Sequence, residues 1–358
     1  MNTIDGLNPA DPGILLLAGA LARIPPPACL LVHCGHLPGL GTGTTRLVLD
    51  VRELAGSLDH FVLPGREQTA RALAPQNGFQ AAAVWPRAHL GKDFTHACFA
   101  WALLLLAPGG AVYFAARKQK GAQGLADWLH AACGNVERVT RCQGYVLYRA
   151  TVSGKLDAGL LHQAVTKRYR VESLSIPGVV LASAPGVFAR RELDAGTRAL
   201  IDHVGQLEQL GSGTLRDPPG RVLDVCAGIG PLSLWAATRW PDTRVVAIES
   251  NLLAADLLAE NAASARAGER VSVVRQDAFS QQGWPDAVDL TLVNPPTHAS
   301  PEHIEALCRH VRGSTRRGAP AFFVVTRPAL LERLLVRCGA TVQQTSHGSH
   351  TVLEARWP

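Results

Sequence analysis

The chain is 358 residues long, 47% hydrophobic and 18% charged, with seven Trp and nine Phe; this excludes global disorder and, at roughly 150 residues per domain, points to two hydrophobic cores. Its eight cysteines never stand as Cys-x-x-Cys or beside a His at zinc-ligand spacing, which argues against a zinc site and for reduced, mostly buried thiols. The segment Met1 to Asp5 has no basic residues, and the most apolar runs, Ile14 to Leu21 and Trp101 to Ala107, fall far short of the ~18 residues that span a bilayer, so a cytoplasmic monomer with no membrane and no metal is expected.

In chain order, Leu30 to His33 and Arg46 to Asp50 are the first candidate strands. Ala81 to Trp85 follows as a β-rich run, then a helix near Phe94 to Leu106, a strand Ala111 to Ala116, and a helix Ala122 to Ala132. Two further runs, Val136 to Thr140 and Tyr145 to Arg149, are split by Cys142-Gln143-Gly144. Thr151 to Ser183 is mixed and basic and reads as connector plus the start of a second domain. A loop from Gly211-Ser212-Gly213 to Asp217-Pro218-Pro219-Gly220 precedes the next strand.

From there strands alternate with helices: Arg221 to Val225 then Leu232 to Arg239, Arg244 to Glu249 then Leu252 to Ala265. Val271 to Arg275, Val288 to Val293, a helix Pro301 to Val311, Ala321 to Thr326 and a helix Ala329 to Arg337 continue the series. The alternation predicts a doubly wound, mainly parallel sheet. Ala340 to Gln344 and Thr351 to Arg356, joined by Ser346-His347-Gly348-Ser349 with no helix between, predict a closing antiparallel hairpin.

One offset relates the halves. Trp85-Pro86 and Asn294-Pro295 stand 209 positions apart, as do Tyr113-Phe114 and Phe322-Phe323, which predicts two copies of one α/β fold: residues 1–152, and 153–358 with 153–183 as connector.

The chemistry concentrates in the second copy. The predicted strand ending at Asp224-Val225 runs into Cys226-Ala227-Gly228-Ile229-Gly230-Pro231, where glycines admit a close ligand and the following helix offers free N–H groups. A dinucleotide fingerprint would need Gly where Ser233 stands. Glu249, 19 positions after Gly230, ends the next strand where a ribose-binding carboxylate is expected, and Asp277 ends the third. Each acid alone serves equally as a helix cap or solvated strand end; successive strand ends favour a site. After the fourth strand comes Asn294-Pro295-Pro296-Thr297-His298. Two prolines fix this backbone and remove N–H donors, leaving the Asn294 side-chain oxygen and the Pro295 carbonyl as paired acceptors for an exocyclic amine.

In these residues the chain resembles the amino-methylating, S-adenosylmethionine-dependent methyltransferases with an Asn-Pro-Pro-aromatic motif. More narrowly, it resembles the bacterial ribosomal RNA guanine-N2 methyltransferases of two tandem domains, the small-subunit enzymes being closest in pattern. The narrow match rests on Pro185-Gly186-Val187-Phe188-Ala189-Arg190 with Leu193-Asp194-Ala195-Gly196-Thr197, the Asp224 to Gly230 loop, Asn294-Pro295-Pro296-Thr297-His298, Trp85-Pro86, Gly109-Gly110, and Arg117-Lys118-Gln119-Lys120-Gly121.

The resemblance implies two Rossmann-like class I methyltransferase domains, each with a seven-stranded-type sheet and C-terminal hairpin, the first degenerate. It implies methylation of a guanine N2 amine in ribosomal RNA, 16S favoured, with naked RNA or a ribosomal subunit as partner. Asp194, Gly196 and Thr197 would then lie near the cofactor's amino-acid end, with Asp224, Cys226, Gly228 and Gly230 forming the methionine-side loop. Glu249 would hold the ribose, Asp277 with Ala278 the adenine, and Asn294, Pro295 and Pro296 the target amine. Thr297 replaces the family's aromatic residue, so base stacking would pass to His298 or Phe188. The same Asn-Pro-Pro chemistry serves adenine N6 and protein glutamine, and a non-catalytic RNA-binding or assembly protein is a further alternative. The basic runs Arg117 to Lys120, Lys167 to Arg170, and Arg309, Arg312, Arg316 and Arg317 in a chain of formal charge +6 suit RNA or an ordinary solvated face.

Overall fold

The computed structural model describes residues 8–54, 59–60, 74–154, 156–209 and 217–358; the predicted loop at Gly211 to Gly213 and the residues Met1 to Asp5 lie outside these. The chain divides into two compact units, Met1–Arg168 with Ala184–Gly186, and Tyr169–Ser183 with Val187–Pro358.

In the first unit a sheet of seven strands has the order β3-β2-β1-β4-β5-β7-β6. Its strands are β1 (Cys29–Val32), β2 (Thr45–Leu47), β3 (Asp59–His60), β4 (Phe79–Val84), β5 (Leu106–Arg117), β6 (Val136–Cys142) and β7 (Tyr145–Thr151). The described helices of this unit are α1 (Pro12–Leu21), α2 (Lys92–Leu105), α3 (Ala122–Cys133) and α4 (Ala158–Thr166). Ile14, Leu17 and Leu21 of α1 pack on Leu31, Ala81, Ala83 and Leu147. β5 begins directly at the end of α2 and is longer than predicted, because its pairing with β4 shifts register between Phe79 and Ala81 and so extends the strand back through Gly109-Gly110.

The second unit repeats the plan, β12-β11-β10-β13-β14-β16-β15. The strands are β10 (Arg221–Val225), β11 (Arg244–Glu249), β12 (Val271–Arg275), β13 (Leu290–Val293), β14 (Pro320–Val325), β15 (Thr341–His347) and β16 (His350–Arg356). Between them run α6 (Pro231–Arg239), α7 (Leu252–Ser264), α8 (Pro301–Ser314) and α9 (Pro328–Arg337), preceded by α5 (Ala195–Gln209). Proline at the first helical position starts α6, α8 and α9, and Asn251 and Ser300 cap α7 and α8 through their side chains. β10 and β13 are almost wholly buried because helices cover both sheet faces. β14, β16 and β15 are antiparallel neighbours, so the predicted hairpin is present. Val288, expected within β13, instead forms an isolated bridge to Thr315. A separate antiparallel hairpin, β8 (Tyr169–Glu172) with β9 (Val180–Ser183), occupies the stretch read from sequence as connector.

β10 to β12 wind outward in one direction and β13 onward in the other. The strand order therefore reverses between β10 and β13, and a doubly wound sheet opens a crevice for ligands at the carboxyl ends of such a strand pair. All eight cysteines lie among the described residues and none is disulfide-bonded. No described helix is long and apolar enough to cross a membrane, and among the described residues no His, Cys, Asp and Glu cluster has metal-binding geometry.

Candidate active site

Parallel pairing aligns Val225 with Val293, so the residues following β10 and β13 emerge side by side. After β10 the backbone turns through left-handed conformations at Cys226 (φ 62°), Gly228 (φ 58°) and Gly230 (φ 92°). A Cβ on Gly230 would lie 2.7 Å from Leu258 Cγ, whereas one on Gly228 would meet nothing within 4 Å. The first glycine is thus dictated by packing and conformation, and the second faces open space where a ligand can approach the backbone.

Asp224 is fully buried beneath this turn. Its Oδ2 accepts a 2.6 Å hydrogen bond from Ser233 Oγ, and its Oδ1 has no partner. Burial pushes the carboxyl up from 3.8 to about 7, opposed by the Ser233 bond and reinforced by the charge of Glu249. Ser233, which breaks the dinucleotide fingerprint, is therefore the partner that this buried acid requires; no local sequence signal identifies that role.

Glu249 ends β11 with its Oε2 accepting from the Gly228 amide and its Oε1 from the Asn251 amide, both at 2.7 Å. One carboxylate thus ties the glycine turn to the start of α7. Asp277 follows β12 and accepts from the Phe279 amide at 3.1 Å through Oδ1, so it also forms the local turn that its residue type favours. Ala278 is buried in the core, with its carbonyl 3.3 Å from His310 Nδ1.

Asp194, Thr197 and Asn294, far apart in sequence, meet. Asn294 Nδ2 donates to Asp194 Oδ2 and to Thr197 Oγ1, both at 2.9 Å, while Asp194 Oδ2 also accepts from the Thr197 amide at 3.0 Å and so caps α5. Among the described residues neither Asn294 Oδ1 nor the Pro295 carbonyl has a hydrogen-bond partner. Pro295 is buried, Pro296, Thr297 and His298 are exposed, and none of the four lines the cleft that Asn294 borders.

Asn294, Asp194 and Thr197 border an open cleft, lined also by Phe188, Leu193, Cys226 and Gly228, with Val171 and Leu181 of the β8–β9 hairpin. Gly230, Glu249, Asp277 and Ala278 lie outside that lining, as does Gly196, which is buried against His350. Phe188 is 68% exposed, an unusual state for a large apolar ring and one that leaves a stacking face open. The hairpin is held by a residue that sequence reading missed. Buried Asn261 on α7 accepts from the Ala182 amide at 2.7 Å and donates to the Ala182 and Ile229 carbonyls at 3.1 and 2.9 Å. It fastens the hairpin wall to the glycine turn.

The first unit fills the equivalent position with its own side chains. Val32 pairs with Leu47 and Val84 as Val225 pairs with Ile248 and Val293, which places Leu31 where the second unit has Asp224, Val48 where it has Glu249, and Trp85 where it has Asn294. His33 repeats the left-handed backbone of Cys226 (φ 54°). Beside it, Arg87 makes a buried 2.6 Å ion pair with Glu53 and reaches the His33 carbonyl at 3.4 Å.

Residues 178–346 match the Methyltransferase small domain family. The ribosomal RNA small subunit methyltransferase C of Pseudomonas putida (strain W619) is 29% identical over 230 residues, covering 59% of this chain and 64% of that protein. The ribosomal RNA large subunit methyltransferase G of Pseudomonas fluorescens (strain Pf0-1) is 30% identical over 193 residues, covering 54% of this chain and 47% of that protein. The chain thus spans less than two thirds of the length of either relative. The solved structure of the T. thermophilus 16S rRNA N2 G1207 methyltransferase, in complex with AdoMet and guanosine, covers 98% of this chain and 92% of that one with a TM-score of 0.77 at 20% identity, which shows the tandem Rossmann-like fold expected from the sequence.

Proposed function

We propose that this chain, whose residues 178–346 match the Methyltransferase small domain family, transfers a methyl group from S-adenosylmethionine to the exocyclic N2 amine of a guanine in ribosomal RNA, with the small-subunit RNA favoured. The observation that carries the reading is the orientation of Asn294. Its NH2 group is spent on Asp194 and Thr197, so Oδ1 is left as an acceptor on a residue that lines a cleft together with the Gly228 turn, and the Pro295 carbonyl next to it in the chain is the second acceptor of the proposed pair. Two acceptors suit a nucleophile that carries two N–H bonds.

The cleft suits the cofactor. Gly228 leaves open space beside its backbone, and Glu249, which accepts the Gly228 and Asn251 amides, stands at the end of β11, where a nucleoside-binding fold places the carboxylate that meets a ribose. Asp277 uses Oδ1 locally and keeps Oδ2 for an adenine amine. Bound there, S-adenosylmethionine supplies an electrophilic methyl group on a sulfonium. The protein's part is alignment: Asn294 Oδ1 and the Pro295 carbonyl hold the two amine protons, direct the nitrogen lone pair into the cleft, and keep the attacking atom in line.

A guanine in folded RNA must be unstacked and turned outward, at a cost of a few kcal/mol. Exposed Phe188 offers a stacking surface that offsets part of this. The exposed Arg117, Lys118 and Lys120 of the first unit and Arg309, Arg312 and Arg317 of the second favour a polyanionic substrate through counterion release. The relatives are ribosomal RNA methyltransferases and the solved neighbour holds guanosine, which supports the choice of RNA and base.

The test is to offer labelled methyl donor to unmodified small and large subunits, naked ribosomal RNA and release factors. Label is expected in N2-methylguanosine, and loss of transfer is expected in Asn294→Ala with cofactor binding retained. Label in N6-methyladenine or in protein would contradict the substrate assignment.

A further inference from the structure

We propose that Asp194 and Thr197 are positioning residues that lock the Asn294 amide with its oxygen toward the substrate, making the polar edge of the site acceptor-only and so selective for a primary amine. This rests on the reading of Asn294 and Pro295 as the amine-holding pair.

A carboxamide is nearly symmetric in shape, so packing alone does not decide which end is N and which is O; its partners do. Asp194 in its ionised form can only accept. With Nδ2 2.9 Å from both Asp194 Oδ2 and Thr197 Oγ1, both Asn294 amide protons have acceptors. A half-turn of the amide would set its oxygen against the carboxylate and lose a charge-assisted hydrogen bond.

The two partners are themselves fixed. Asp194 Oδ2 caps α5 through the Thr197 amide at 3.0 Å, Thr197 is only 4% exposed, and Leu200, Ile201 and Val204 bury the helix behind them. A Cβ at Gly196 would stand 3.0 Å from Asp194 Oδ2, so the turn is packed against the acid. A helix end from one part of the chain therefore sets the chemistry of a loop 100 positions later.

The consequence is specificity. With both amide protons spent, the edge formed by Asn294 and Pro295 offers the substrate oxygen acceptors alone. A hydroxyl nucleophile has one proton for two acceptors, and a carbonyl or bare ring nitrogen has none; each leaves a buried acceptor unpaired. An amine satisfies both.

Asp194→Asn keeps the size, and because Oδ2 serves both the cap and Asn294, an oxygen at that position preserves both hydrogen bonds whereas an NH2 there gives up the cap and turns Asn294 round, so both orientations of Asn294 become populated. We expect kcat to fall at least tenfold while the S-adenosylmethionine Kd by calorimetry changes less than twofold, and Thr197→Val to give a smaller kcat loss of the same kind. Exchange of roles is the stricter test. Asn294→Asp alone sets two carboxylates against each other, whereas Asp194→Asn with Asn294→Asp restores that hydrogen bond, giving up the acceptor for the Thr197 amide, and leaves an oxygen facing the amine. The double variant is expected to be at least tenfold more active than Asn294→Asp.

Nuclear magnetic resonance of the Asn294 side-chain amide reads orientation without substrate: a protected NH2 pair in the wild type should lose protection in Asp194→Asn. Wild-type kcat in Asp194→Asn, a tenfold weaker Kd with kcat intact, or a double variant no better than Asn294→Asp would each overturn the proposal. Should the wild type leave ribosomal RNA unmodified, the methylation reading falls, and the resonance experiment still decides this one: an unchanged amide pair in Asp194→Asn refutes it, and lost protection supports it.

Discussion

Replacing Asp224 by Asn should remove a pH dependence of stability built into the second unit. Burial raises the Asp224 carboxyl from 3.8 to about 7, a difference of about 3 pH units (7 − 3.8), or about 4 kcal/mol at ~1.4 kcal/mol per unit. Because the folded state holds this proton more tightly than the unfolded chain, the stabilisation is complete below pH ~4. It declines by about 1.4 kcal/mol per unit as pH rises and is gone above about 7, where the ionised group sits buried with Oδ1 unpartnered. Asn is neutral throughout. It can still accept from Ser233, but its NH2 replaces the unpartnered oxygen, at a cost of ~1–3 kcal/mol. The variant is thus expected to be less stable than the wild type by up to ~2 kcal/mol near pH 4.5 and more stable by ~1–3 kcal/mol at pH 8. Urea unfolding of the full chain at half-unit pH intervals, following the transition of the second unit, measures this difference, in which all other titrating groups cancel. A difference constant from pH 4.5 to 8 would refute the reasoning.

Asn261→Leu leaves the Ala182 amide and the Ala182 and Ile229 carbonyls without their partner; at ~1 kcal/mol or more each, a loss of about 3 kcal/mol is expected in thermal unfolding, with several-fold weaker S-adenosylmethionine binding because the glycine turn loosens. Arg87→Met removes the buried ion-pair partner that Glu53 has at 2.6 Å and should cost the first unit ~3–5 kcal/mol in denaturant unfolding, part of it recovered in Arg87→Met/Glu53→Leu, which also takes the acceptor from the Leu49 amide. The cofactor titration should be unchanged in both, since the cleft is lined wholly by residues of the second unit.

The strands of the second sheet were legible because apolar, β-rich runs are what a parallel sheet covered on both faces demands: β10, β11 and β12 begin and end at the predicted residues. The tandem repeat was legible because Trp85 and Asn294 each follow the strand beside the first of its sheet. α4, α5 and the β8–β9 hairpin were not. α5 carries Gly196 and Gly205 and follows a segment rich in loop formers, so its buried stripe of Leu200, Ile201 and Val204 is masked by residues of poor helix propensity. The hairpin strands are four residues each and depend on Asn261, which lies 79 positions from Ala182. The candidate site residues were chosen by type and spacing, which located the Asn294 loop and the glycine turn. The hydrogen bonds from Ser233 to Asp224 and from Asn294 to Asp194 are long-range facts of folding, and no local pattern encodes them.

The most direct measurement of the central claim is quantification of N2-methylguanosine in ribosomal RNA from cells lacking this chain and from the same cells carrying either the wild type or Asn294→Ala. One guanine position should lose its methyl group without the chain, regain it with the wild type, and stay unmodified with the variant. Unchanged N2-methylguanosine in all three strains would contradict the assignment.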